Sequence, residues 1–227
     1  MVSTEKLAQP ELASHLRYIV VEGPIGVGKT SLARRLAESF NSELVLENAD
    51  ENPFLESFYR NRRRSALPTQ LFFLFQRARQ LEAIRQSDLF SPVRVADFML
   101  AKDRLFAELN LDSNELSLYE QVYASLEIDP PTPDLVVYLQ APPTILRRRV
   151  ATRGIPYEQT LDEDYLERLG NAYAKFFYDF EAAPLLIVNA TSIDPIHREA
   201  DYQELLRAIC RMRHGRQFFN PALETFA

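Results

Sequence analysis

The chain has 227 residues, 46% of them hydrophobic and 26% charged, with 26 Lys and Arg against 32 Asp and Glu for a formal net charge of −6. This suits one globular domain, residues 1–227, with a sizeable core and no disorder signature. The negative balance disfavours nucleic acid and anionic membranes as partners, which both call for a positive surface field. The single cysteine, Cys210, excludes an internal disulfide and fits a reducing compartment.

The opening "MVSTEKLAQPELASHL" carries two acids and no apolar run, so it reads as neither signal peptide nor anchor. No later segment reaches the roughly 20 apolar residues of a membrane span. A cytoplasmic protein is expected.

"YIVVEG" (Tyr18 to Gly23) is the first of five short apolar, β-branched runs. It leads into "GPIGVGKT", which matches G-x-x-x-x-G-K-[ST] at Gly23, Gly28, Lys29 and Thr30 and opens a helical pattern, the context that motif requires. Glycines let the backbone close around phosphates, amides at the helix start point inward, Lys29 adds a point charge, and the Thr30 hydroxyl suits Mg²⁺. The expected contacts to the phosphates of a nucleotide are Gly23, Pro24, Ile25, Gly26, Val27, Gly28, Lys29, Thr30 and Ser31. The loop alone does not separate kinase, GTPase, motor and switch, although the guanine-reading N-K-x-D is absent.

"ELVLEN" (Glu43 to Asn48) is the second run. It places Glu47 at the carboxyl end of a strand, the edge at which open parallel sheets bind ligands. A carboxylate there suits proton abstraction from an acceptor hydroxyl, and equally a helix cap or a solvated acid. The next helix predicts an apolar stripe of Leu71, Leu74, Phe75, Ala78 and Leu81. On it Gln70 and Arg77 stand seven residues apart, on one face; an amide and a guanidinium suit the edge of a nucleobase, or a solvated helix surface. "VRVADF" (Val93 to Phe98) puts Asp97 where a second metal-site oxygen belongs, or where a strand-end turn does.

"LVVYLQ" (Leu135 to Gln140) precedes Pro142 and Pro143, which suit the first turn of a helix. In "RRR" (Arg147 to Arg149) the first two arginines read as a solvated face, as does "NRRRS" (Asn61 to Ser65). Thr160 and Glu163 stand at capping-box spacing before a helix with Tyr165, Leu166, Leu169, Tyr173, Phe176, Phe177 and Phe180 on one stripe. "LLIVNA" (Leu185 to Ala190) is the fifth strand, Cys210 reads as a buried residue of a terminal helix, and "HGRQFFNPALETFA" shows no period. Strands alternating with helices predict a three-layer α/β fold with a five-stranded parallel sheet. "SDLFSP", "DPPTPD" and "RGIPYEQ" are expected loops, none a domain linker.

From about Tyr18 to Ala190 the sequence resembles the deoxynucleoside kinase family. The phosphate loop, "LENADENPFLESFY", the Gln70 and Arg77 pair and "DFMLAKDR" follow in the family's order and spacing. The resemblance implies transfer of the γ-phosphoryl of ATP to the 5′-hydroxyl of a deoxynucleoside, with Mg²⁺, in a P-loop kinase fold. It makes Glu47 the base, Tyr59 and Glu158 the contacts of the sugar 3′-hydroxyl, and Gln70, Arg77 and Asp103 the readers of the nucleobase. Thr30 and Asp97 serve the metal, and Lys29, Arg149 and Arg153 the transferred group, the last two from a lid at about 149–160. Arg77 with Asp103 tilts the choice toward purine deoxynucleosides or deoxycytidine, and a homodimer built on helices is implied.

The chain departs from the pattern in having Phe98 and Met99 where the family has arginine and serine, and Ile155 in place of a lid arginine. Two other readings stay open: a nucleoside monophosphate kinase of thymidylate-kinase type, and a catalytically silent nucleotide-binding subunit.

Overall fold

The computed structural model describes residues 14–86 and 93–220. The expected loop at "SDLFSP" and most of the opening stretch lie outside the described residues.

Strands β1 (Tyr18–Glu22), β2 (Glu43–Val45), β3 (Arg94–Ala96), β4 (Leu135–Gln140), β5 (Leu185–Asn189) and β6 (Arg216–Phe219) form one sheet in the order β2-β3-β1-β4-β5-β6. Every pairing is parallel. All of β1 and nearly all of β4 and β5 are buried, as near-continuous apolar strands between two helical layers must be. The order reverses at β1, so the loop after β1 opens at the switch point, where such sheets bind ligands.

The expected sheet of five strands is corrected to six. β6 comes from the stretch without a readable period; it is an edge strand with three of its four residues exposed, and thus has little apolar signature. β2 and β3 are also shorter than the apolar runs, which leaves Glu47 and Asp97 beyond the strand ends.

Helix α1 (Lys29–Phe40) buries Leu32, Ala33, Leu36 and Ala37. Helices α2 (Leu55–Arg60), α3 (Arg62–Gln86), α4 (Ala101–Asn110) and α5 (Ser113–Ser125) build the acceptor side. Leu74 and Leu81 of α3 pack with Phe98, Leu100 and Tyr119 in a second apolar cluster. Phe75, expected on that stripe, is instead 40% exposed, because α3 turns Phe73 and Arg77 to its other buried side.

Helix α6 (Pro143–Arg153) starts at the expected prolines, α7 (Glu163–Tyr178) buries Tyr165, Leu166, Leu169, Tyr173 and Phe177, and α8 (Glu199–Arg211) buries Cys210. The expected Thr160–Glu163 cap is replaced. Asp162 is the cap residue, its carboxylate accepting from the Tyr165 amide at 2.6 Å, while the Thr160 hydroxyl donates to the Tyr59 carbonyl from a 3₁₀ turn at Pro156–Thr160. Arg63, Arg64, Arg147 and Arg148 are exposed as expected, but Arg62 stacks on the Tyr165 ring at 4.0 Å.

Among the described residues, no helix is long and apolar enough to cross a membrane.

Candidate active site

The loop from β1 into α1 is shaped by its glycines. Gly28 caps α1 at φ 107°, which an L side chain rarely adopts, and a Cβ on Gly23 would sit 2.4 Å from the Leu139 carbonyl oxygen. The amides of the first turn of α1 have no intrahelical acceptors, the arrangement that binds phosphate. The Lys29 ammonium donates to the Pro24 carbonyl at 3.2 Å. Burial, then the charge of Lys102, pulls its pKa down to about 8 against the attraction of Glu22, Glu47 and Asp97.

The Thr30 hydroxyl donates to Asp97 Oδ2 at 2.5 Å, while Asp97 Oδ1 accepts the Glu47 amide at 2.8 Å. One carboxylate thus joins α1 to the segment after β2 and places Glu47 against the phosphate loop. Glu47 Oε1 accepts from Arg77, and Oε2 from the Lys102 ammonium at 3.2 Å. Burial pushes the Glu47 carboxyl up, but Arg77, Lys102 and Lys29 outweigh it and hold the pKa at about 2.

Arg77 also donates to Asp103, which is fully buried, and lies 4.9 Å from the Phe73 ring centre. Burial raises the Asp103 carboxyl to about 6, with Arg77 opposing. Gln70 Oε1 and the Thr69 hydroxyl are buried beside this pair without a partner among the described residues. Buried polar atoms left open in a cavity are groups awaiting a ligand or water.

From the other side come Tyr59, Arg153 and Glu158. Arg153 pairs with Glu158, whose carboxyl burial raises, and the Tyr59 ring stacks on Tyr157 at 5.4 Å. These groups enclose a cavity of about 150 Å³ with Lys29 and Thr30 at its phosphate end. Roomier grooves of about 690 and 680 Å³ lie beside β6 and between α4 and α7, but neither is lined by Lys29, Thr30 or Glu47.

The deoxynucleoside kinase family model matches residues 19–212. The chain belongs to this family. This deoxynucleoside kinase is 33% identical over 196 residues to a deoxyguanosine kinase of Bacillus subtilis, covering 83% of this chain and 93% of that one. It is 28% identical over 209 residues to a deoxyadenosine kinase of Lactobacillus acidophilus, covering 86% and 95%. A solved deoxyadenosine kinase of M. mycoides shares its fold with a TM-score of 0.73 at 23% identity, over 85% of this chain and 98% of that chain. The kinase is an ATP-dependent phosphotransferase acting on deoxynucleosides, which decides against the monophosphate-kinase and silent-subunit readings.

In the deoxynucleoside kinase, Lys29, Thr30, Glu47, Tyr59, Gln70, Arg77, Asp97, Arg153 and Glu158 converge on one cavity, as do Ile25 and Gly26 of the loop. Asp103 stands behind Arg77 rather than on the wall. Arg149 is elsewhere: it donates to the Val27 carbonyl at 3.0 Å and the Ala190 carbonyl at 2.7 Å, beneath the phosphate loop.

Sequence reasoning missed Glu22 and Lys102 of the kinase, and took Tyr173 only as core. Glu22, fully buried, accepts the Gly23 amide at 3.1 Å, the Met99 amide at 2.8 Å and the Tyr173 hydroxyl at 3.2 Å. The signal available for Glu22 was an acid closing an otherwise apolar strand.

Proposed function

We propose that the kinase phosphorylates the 5′-hydroxyl of a purine deoxynucleoside or deoxycytidine, with deoxyadenosine or deoxyguanosine preferred, and that Glu47 accepts the hydroxyl proton. The observation that carries this is Glu47 itself: an ionised carboxylate held by cations, beside the phosphate loop and inside the same cavity. A carboxylate of such low pKa is a weak base toward a free alcohol. It accepts the hydrogen bond first and takes the proton as the oxygen bonds to phosphorus and becomes acidic, the order expected of phosphoryl transfer through a loose transition state.

The loop amides of Gly23 to Ser31 and Lys29 hold the triphosphate in this reading. Thr30 and Asp97 fit Mg²⁺: they are oxygen donors already in contact. Among the described residues no group of three or more His, Cys, Asp or Glu forms a metal cage, so the cation would take its other ligands from phosphate and water, as Mg²⁺ does. When bound, Mg²⁺ neutralises charge on the β- and γ-phosphates. Arg153 lines the cavity and would stabilise the transferred group; Arg149 supports the loop from below and would reach that group only by releasing the Val27 and Ala190 carbonyls.

Tyr59 and Glu158 would hold the 3′-hydroxyl. Gln70, with its open carbonyl oxygen, and Arg77, backed by Asp103, offer a donor and acceptor array to a base. A homodimer belongs to the same reading, supported by half-buried Leu109, Phe176 and Phe180 along the groove between α4 and α7.

The test is Glu47→Gln with the four deoxynucleosides and their ribo-counterparts as acceptors. A fall in kcat of about 10²- to 10⁴-fold is expected with ATP binding retained, and unchanged turnover would remove Glu47 from the base role.

A further inference from the structure

Lys102 stands in an expensive place. It is 2% exposed in the first turn of α4, where a cation opposes the helix dipole, and burial alone penalises its charge. Two carboxylates answer it. Its ammonium lies 3.2 Å from Glu47 Oε2 and 3.8 Å from Glu22 Oε1.

Glu22 is the fixed member of this group. Its three hydrogen bonds come from the first residue of the phosphate loop, from Met99 ahead of α4, and from Tyr173 on α7. Glu47 is the functional member, with each carboxylate oxygen held by a cation from a different helix, Arg77 of α3 on Oε1 and Lys102 of α4 on Oε2. Two cations on two oxygens fix the rotation of the carboxylate plane, which one partner would leave free. Phe98 and Met99, just after Asp97, add no charge here; Phe98 is packed in the second apolar cluster.

We propose that Lys102, braced on Glu22, is a positioning residue that sets the orientation and charge of the Glu47 carboxylate for proton acceptance. This rests on Glu47 being the proton acceptor. Its ammonium donates to Glu47 Oε2 and faces Glu22 Oε1 as an ion pair, so one side chain ties the acceptor carboxylate to a rigidly held one.

The experiment compares steady-state kinetics and thermal unfolding of the parent, Lys102→Met, Lys102→Arg, and the double variant Lys102→Met with Glu22→Gln. Glu47→Gln is run in parallel. Lys102→Met is expected to lower kcat about 100-fold while moving the deoxynucleoside KM less than about threefold. Lys102→Arg, which keeps the charge, should recover to within about tenfold of the parent. The double variant removes the uncompensated buried acid and should regain thermal stability but not kcat.

Recovery of kcat together with stability in the double variant would make Lys102 a purely structural partner of Glu22 and overturn the proposal. So would a loss confined to KM. Parent-like turnover by Glu47→Gln would overturn both this inference and the base assignment. A slow Glu47→Gln beside an undiminished Lys102→Met would overturn the role of Lys102 alone.

Discussion

The Thr30 hydroxyl, in the first turn of the helix after the phosphate loop, donates to the Asp97 carboxylate 67 residues later at 2.5 Å. This contact crosses from β1's helix to the end of the neighbouring strand and brings two hard oxygen atoms together at the phosphate end of the cavity. Asp97→Asn keeps the size and a hydrogen-bonding side chain but removes the negative charge. The variant is expected to fold, to need more Mg²⁺ for half-maximal rate, and to lose about 10- to 100-fold in kcat at saturating nucleotide. An Mg²⁺ titration of initial rates checks it; a parent-like titration curve would move the metal away from Asp97.

Lys29 titrates in the working range. Its pKa of about 8 lies below the ordinary lysine value because burial and Lys102 disfavour the charge. The ammonium is therefore present below about pH 8 and lost as pH rises through it, so kcat/KM for ATP should fall on that alkaline side. The linkage has the opposite sign for stability. The folded state binds this proton more weakly than the unfolded chain does, so the charge costs stability below about pH 8 and the cost disappears toward the unfolded lysine value. Lys29→Met, which never carries the charge, should melt a few degrees higher at pH 7 while losing turnover. A melting temperature below the parent's would show that the surrounding acids outweigh burial.

Gln70, 2% exposed and on the cavity wall, presents a buried carbonyl oxygen with no partner among the described residues. Gln70→Leu keeps the volume and deletes the hydrogen-bonding edge. It should lower kcat/KM for the preferred deoxynucleoside about 10- to 100-fold, the worth of one or two hydrogen bonds to a base left unpaired. Measured ATP affinity should be unchanged, and an equal loss toward ATP would indicate general damage instead of lost base reading.

Gly23 has no room for a methyl group: the Cβ would meet the Leu139 carbonyl, and its φ of 146° is rarely adopted by L side chains. Gly23→Ala should cost about 1–3 kcal/mol of stability and weaken ATP binding, because the displaced loop carries the phosphate amides. Chemical denaturation and nucleotide titration of the same preparation read both effects. A stable variant with weakened ATP binding would show that the loop shifts to relieve the contact.

Much of this kinase was legible along the chain. The phosphate loop is a local device whose glycines, lysine and threonine act within eight consecutive residues, so spacing alone specifies it. The apolar runs announced β1, β4 and β5 because both faces of those strands are buried, and the alternation with helices gave the layered fold. Gln70 and Arg77 were placed on the correct helix by its period, while Glu47, expected at a strand end, lies just beyond β2.

What periodicity does not carry is which elements become neighbours. β6 was unreadable because an exposed edge strand needs no apolar code, only a partner, and that partner is β5. Lys102 and Glu47 are 55 residues apart, and Lys102 and Glu22 are 80 apart, joined only because β3 lies between β1 and β2 and α4 starts beyond their carboxyl ends. A buried lysine reads in sequence like any helical surface lysine. Its environment, one carboxylate on the cavity wall and one fully buried, is a property of sheet order, and sheet order is decided by burial summed over the whole core.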